Sequence, residues 1–178
     1  MVTSIMRRGL ASMAYEIRQL QAADAAEYRD LRLEALEKCP EAFSSSHAED
    51  EGLPVARYEA AIATNIILGG FRYAHLQGVI ALARSNSVKM HHRMTISGIY
   101  VREAERGKGL SDELVQAARK FALDGIESIY YRVPSNNKNA VALCQRSGFE
   151  QIGIEPHAIR LDDGHYIDHL LMHCAVSH

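Results

Sequence analysis

The sequence predicts an α/β protein: a mixed central β-sheet of about seven strands flanked by about four helices. Two patterns carry that reading. Short apolar or alternating runs recur at Tyr15–Leu20, Ile66–Tyr73, Val79–Arg84, His91–Val101, Ser128–Val133, Phe149–Ile154 and Tyr166–Cys174. Between them lie stretches with apolar residues three and four apart, as on the buried face of a helix. The resulting order, β-α-α-β-β-β-α-β-α-β-β, combines hairpins with helical crossovers. The 178 residues contain no repeat, linker or low-complexity tract, so residues 15–176 read as one domain.

Residues 1–14 read as a disordered extension or an upstream start, with Met13 as an alternative beginning; Arg7 and Arg8 are not followed by the apolar run of a signal peptide. Asp24 is placed to cap a helix over Ala25–Lys38, which presents Tyr28, Leu31, Leu33 and Leu36 and stops at Pro40. Glu41–Leu53 is rich in serines and acids and reads as a loop. Pro54 opens a second helix that runs to about Thr64. The strands at 66–73 and 79–84 are joined by a turn around Ala74–Gly78.

In the strand from His91 to Val101 the apolar positions change parity. Met94 and Ile96 are even, Ile99 and Val101 odd, and Gly98 stands at the switch. One extra residue produces such a change, which predicts a β-bulge there. A helix from Leu110 follows, with Leu114, Ala117, Ala118 and Phe121 on its apolar face and Gly125 after it. Asn136 or Asn137 caps a helix over Lys138–Ser147, ended by Gly148. Asp162–His165 is the turn between the last two strands.

A net charge of −2 with interspersed signs argues against a nucleic-acid surface, and no apolar run is long enough to cross a bilayer as a helix. Cys39, Cys144 and Cys174 have no paired spacing, which suggests reduced thiols in a cytoplasmic protein. Nine histidines invite a metal site, but no HExxH or Cys/His cluster accompanies His169 and His173, so none is expected.

The chemistry concentrates at Arg106-Gly107-Lys108-Gly109-Leu110-Ser111, where a strand turns into a helix. Two glycines let main chain approach an anion, the helix N-terminus presents unpartnered N–H groups, and Arg106 and Lys108 add charge. A diphosphate suits such a turn. The spacing fits neither GxxxxGK[ST] nor GxGxxG.

The run resembles motif A of the GNAT superfamily of N-acetyltransferases, [QR]-x-x-G-x-[GA], with Ser111 in place of the final small residue. Asn137 to Phe149 resembles motif B of the same superfamily, N-x-x-A-x-x-L-Y-x-x-x-G-F, one strand later. The likeness extends from about Tyr15 to Met172. It implies a GNAT-like fold and transfer of the acetyl group of acetyl-CoA to a primary amine, of a small molecule or a peptide, by direct attack in a ternary complex. A homodimer is a further implication. In such a protein two parallel strands splay after the bulge. Ile99, Tyr100 and Val101 would line the pantetheine arm, with the Val101 N–H stabilising the oxyanion. Residues 106–111 would hold the diphosphate, and Asn137, Asn139, Ala140 and Leu143 would complete the cofactor site.

The general acid of motif B is usually Tyr; here it is Cys144. A thiol can donate to a departing thiolate, or Cys144 is a small core residue, with water, Tyr130, Tyr131 or Tyr166 in its place. For the base, His92 is the candidate, beside His91 and Glu103. Phe43 and Glu41 are expected at the acceptor site, where Glu49, Asp50 and Glu51 either attract a cationic amine or form a solvated loop. A second reading keeps the cofactor site without turnover: an acyl-CoA-binding sensor.

Overall fold

The computed structural model describes residues 15–122 and 125–176, so the expected extension over 1–14 lies outside the described residues. Seven strands form one sheet: β1 (Glu16–Gln19), β2 (Ile66–Arg72), β3 (His75–Arg84), β4 (Arg93–Val101), β5 (Ser128–Pro134), β6 (Glu150–Arg160) and β7 (Tyr166–Ala175). Five α-helices accompany them among the described residues: α1 (Ala25–Lys38), α2 (His47–Glu51), α3 (Val55–Thr64), α4 (Leu110–Phe121) and α5 (Lys138–Arg146). The strand order is β1-β2-β3-β4-β5-β7-β6, antiparallel except for the β4–β5 pair, which α4 connects as a crossover.

The sheet divides two cores. On one face Met94, Ile96, Ile129 and Val133 pack against Leu110, Leu114 and Ala118 of α4 and Leu143 and Cys144 of α5. On the other, Ile67, Leu76, Val79 and Tyr100 pack against Leu31 and Leu36 of α1 and Tyr58 and Ile62 of α3. Val115 takes the place expected for Phe121, whose ring is exposed.

Several local expectations are corrected. The 41–53 segment contains α2, where Ser46 Oγ accepts from the Glu49 N–H at 3.3 Å and Glu49 Oε2 accepts from the Ser46 N–H at 2.6 Å. Asp24 does not cap α1; its carboxylate accepts from the Gln21 N–H and pairs with Arg18. The β2–β3 turn is a tight two-residue loop at Tyr73 and Ala74, both at positive φ, so β3 begins at His75. β6 runs six residues beyond Ile154, past Pro156, because an edge strand with a register shift tolerates a missing donor.

The β2–β3 glycines set how closely α4 approaches the sheet. A Cβ on Gly78 would lie 2.9 Å from both the Tyr100 carbonyl oxygen and Val101 Cγ2, and 3.1 Å from Leu110 Cδ2. Gly78→Ala is therefore expected to destabilise the fold by about 1–3 kcal/mol. The melting temperature should fall by roughly 5 °C; an unchanged value would show that β4 and α4 yield freely.

Candidate active site

The β4–β5 ladder ends early. It pairs Arg93 with Ser128 and continues to Ile96 opposite Tyr131, then stops, although both strands run on. On its other side β4 stays joined to β3, but Gly98 and Ile99 together face Ile80, so one extra residue sits in β4. This is the bulge expected from the parity switch, with Gly98 at φ +59°. Beyond it the pairing resumes as Tyr100↔Val79 and Val101↔Gly78.

That register sets the direction of the Val101 amide. The Arg102 N–H donates to the Gln77 carbonyl at 2.9 Å, and bonded and non-bonded pairs alternate along an antiparallel ladder. The Val101 N–H and C=O thus point away from β3, towards the opening beside β5. Arg106 Nε donates to the Val101 carbonyl at 3.1 Å, which leaves the N–H as the group presented to the opening.

The turn before α4 lies just beyond. Gly109 is the N-terminal cap residue at φ +90°, Gly107 is at φ +74°, and a Cβ at either would meet open space. The first helical bond runs from the Glu113 N–H to the Gly109 carbonyl, so the N–H groups of Leu110, Ser111 and Asp112 have no helical acceptor. This is a cradle for an anion at the positive end of α4. Asp112, an anion in the first turn, is offset by Arg146 of α5, which donates to both its carboxylate oxygens at 2.6 and 3.0 Å.

A carboxylate anchors this turn from below. Glu105 Oε2 accepts from the Tyr15 hydroxyl at 2.5 Å and from Arg72 Nη1 at 2.9 Å, while Oε1 accepts from Lys108 Nζ at 3.3 Å. Chiefly the Tyr15 hydrogen bond, with Arg72 and Lys108, holds the Glu105 carboxyl down at about 2. Burial, and then Glu105 itself, push the Tyr15 phenol up to about 12. Tyr15 just before β1, Arg72 of β2 and Lys108 of the turn meet at one side chain.

On the α1/α3 face of the sheet a cavity of about 550 Å³ reaches the bulge at Ser97, Gly98 and Tyr100. Phe43 is buried and forms part of its wall. Arg32 lies over the Phe43 ring at 4.4 Å, bonds Ser45 Oγ at 2.8 Å and pairs with Asp50 at 3.3 Å.

The remaining sequence-predicted residues divide. Ile99, Val101, Gly107, Lys108, Gly109 and Ser111 gather around the opening and the anion cradle. Leu110 and Leu143 belong to the core by their side chains, and the Tyr100 hydroxyl is turned away to Glu34 Oε1 at 2.9 Å, so these three offer main chain alone. Arg106 is committed to the Val101 carbonyl and to Cys39 Sγ at 3.8 Å rather than to the cradle. Asn137 is the α5 cap, its Oδ1 accepting from the Ala140 N–H at 3.0 Å; Asn139 is exposed and Ala140 half-buried.

Four catalytic or substrate assignments are corrected. His92 precedes β4 at the end away from the bulge; nine strand residues at about 3.3 Å each put it ~30 Å from Val101. Cys144 is 3 % exposed in the α4/α5 core, and burial pushes its thiol up to about 12, too weak an acid for a thiolate leaving group. Tyr131, its alternative, is also in that core with its pKa raised by burial. Glu41 does not line the cavity; its backbone lies against His169 on β7.

Arg57, Tyr28 and Tyr58 also line the cavity. Only tertiary packing brings them together, and no spacing in the sequence marks them. Glu105 had a legible sign, its i,i+3 spacing to Lys108.

Because the folded pKa of Glu105 lies below the ordinary glutamate value of about 4.3, its contribution is full above that pH and is lost as pH falls towards 2. Glu105→Gln should therefore lower the urea midpoint at pH 7, and the gap to the unsubstituted protein should shrink by about half at pH 3. A gap independent of pH would mean the carboxylate's charge is not what holds the turn.

Residues 14–149 match the Acetyltransferase (GNAT) family. The putative phosphinothricin acetyltransferase YwnH of Bacillus subtilis (strain 168) is 35% identical over 69 residues, 38% of this chain and 42% of that protein, so the match spans about two fifths of the curated relative. Among solved structures, a GNAT-family acetyltransferase from Streptococcus pneumoniae superposes with a TM-score of 0.81 at 22% identity, covering 91% of this chain and 99% of the other. YncA, a putative acetyltransferase from Salmonella typhimurium solved with its cofactor acetyl-CoA, gives a TM-score of 0.80 at 18% identity, covering 92% and 95%. The seven-stranded mixed sheet and its helices match these neighbours in fold, and the family match spans the opening, the anion cradle and α5: the chain belongs to the GNAT family of acetyltransferases.

Proposed function

We propose that this protein transfers the acetyl group of acetyl-CoA to a primary amine, with both bound at once and no acyl-enzyme formed. The observation that carries the reading is the Val101 N–H, directed into the opening between β4 and β5, next to the anion cradle before α4. The open space at Gly107 and Gly109 fits a diphosphate.

When bound, acetyl-CoA supplies a thioester whose C–S bond breaks as the amine nitrogen forms its bond to carbon, the electron pair leaving on sulfur and the surplus proton passing to water. The chain's own residues hold and polarise. Main-chain N–H groups of residues 107–111 would hold the diphosphate, with Lys108 adding charge from the rim. Ile99 main chain would line the pantetheine arm, and Asn139 and Ala140 would approach it from α5. The Val101 N–H would meet the negative charge that develops on the acyl oxygen, where a fixed donor is worth most. Arg106, bonded to the Val101 carbonyl, orients that peptide.

The buried thiol at position 144 favours a second reading, a sensor that binds acyl-CoA without turnover. Release of free thiol from acetyl-CoA in the presence of amines decides between them.

Acetyl-CoA at 100 times its Kd should stabilise the protein by about 2.7 kcal/mol, and ATP at that concentration should not. That corresponds to a rise in melting temperature of roughly 5–10 °C. Gly109→Val forces a branched side chain into the left-handed region at a cost of about 1–2 kcal/mol and intrudes on the cradle. Its affinity for acetyl-CoA should fall tenfold or more, and wild-type affinity would remove the diphosphate from this turn. Cys144→Ala should lower stability by about 1 kcal/mol and leave the pH profile of turnover unchanged. A lost or displaced limb of that profile would restore the thiol to the chemistry.

A further inference from the structure

The cavity that ends at the bulge carries a charge pattern that selects among amines. Among the described residues three charged side chains line it: Arg32, Asp50 and the exposed Arg57. Asp50 is the only carboxylate among the described residues that line it, and it is held by Arg32 at 3.3 Å with 15% of its side chain exposed. The neighbouring acids are engaged elsewhere or stand outside: Glu49 closes the cap of α2, Glu51 lies 3.9 Å from His47, and Glu41 is not part of the cavity wall. The Arg57 guanidinium has neither ion pair nor hydrogen bond among the described residues. The cavity therefore has one cation in excess and no carboxylate left for a second ammonium.

The rest of its wall is mixed: Ser44, Ser45, Thr64, Asn65 and Ser97 are polar, and the larger side chains are apolar or aromatic. Tyr28 and Tyr58 meet edge to face at 5.8 Å, Phe43 lies under Arg32, and Leu31, Ile67 and Val79 fill in between. A volume of about 550 Å³ lies within the range of small-molecule sites.

We propose that the acceptor is a small amine carrying an anionic group: an α-amino acid with an apolar or aromatic side chain. Its carboxylate pairs with Arg57, and its amine reaches the bulge at Ser97 and Gly98. This rests on the acetyltransferase reading and narrows it. A polyamine or an aminated sugar brings several ammonium groups into a cavity whose net charge is already positive. An arginine, by contrast, binds a carboxylate through two parallel N–H bonds.

The test uses matched pairs that differ only in the carboxylate: L-leucine against 3-methylbutylamine, and L-phenylalanine against 2-phenylethylamine, with spermidine as the polycation. Thiol release from acetyl-CoA gives kcat/KM for each, and thermal shift on the coenzyme A-bound protein gives binding without turnover. At least one amino acid should exceed its decarboxylated twin by about tenfold or more, the worth of one charge-assisted hydrogen bond. Arg57→Glu should abolish or invert that ratio while acetyl-CoA binding stays unchanged. Equal use of both members of each pair, spermidine as the best acceptor, or a ratio unmoved by Arg57→Glu would overturn the proposal. Amino acids that bind the coenzyme A complex but release no thiol would leave the cavity assignment standing and defeat acetyl transfer instead. If neither member of a pair binds or reacts, the cavity assignment falls, while the coenzyme A site is judged by its own thermal shift.

Discussion

β4 has a neighbour on each side and cannot satisfy both along its whole length. One extra residue at Gly98–Ile99 sets the strand's phase against β3, and the parallel ladder to β5 ends at Ile96. An unpaired main-chain donor inside a sheet is a cost that folded proteins rarely leave uncovered. Here the Val101 carbonyl is covered by Arg106, and only the amide is left facing the opening. A sheet that paired throughout would offer neither an opening beside β4 nor an unpaired donor facing it. The interrupted ladder is thus the condition for both.

The anion cradle depends on a different kind of constraint. Its N–H groups come from the start of α4, but the turn leading to them contains two left-handed glycines and would be loose by itself. Glu105 ties that turn to β1 through Tyr15 and to β2 through Arg72. Asp112 is likewise paired with Arg146, so that carboxylate opposes an incoming phosphate less. Glu105 and Asp112 are each bound to a cation, which weakens their opposition to the positive helix end.

How much of this was legible follows from the range of each interaction. The bulge was visible because a parity switch is local: Met94 and Ile96 pack on the α4/α5 face, and after Gly98 so do Ile99 and Val101, with Tyr100 on the opposite one. The anion turn was visible because its glycines and the helix after it are contiguous. The Tyr73–Ala74 turn was not, since neither residue belongs to the types that favour positive φ. α2 was overlooked although Ser46 and Glu49 have capping-box spacing, because a five-residue helix has little apolar periodicity to show. Cys144 matched a catalytic position by alignment of motifs, yet its exposure depends on how α5 lies against Tyr131, which no local pattern encodes. The same is true of Arg32 and Asp50, eighteen residues apart and joined only by the fold.

The two faces of the sheet have separate tasks that converge at the interrupted ladder. α4 and α5 cover one face and present the anion cradle; α1 and α3 cover the other and enclose the cavity. Strand β4 is reached from both, through Val101 on the first side and through Ser97 and Tyr100 on the second. A thioester held from one face and an amine entering from the other would therefore meet across a single strand's thickness, with no group required to move between sites. The absence of a usable acid at Cys144 is consistent with that economy, because a thiolate of ordinary basicity leaves without a proton once the attacking nitrogen is correctly placed. Placement, supplied by main chain and by the cavity wall, is what this geometry provides.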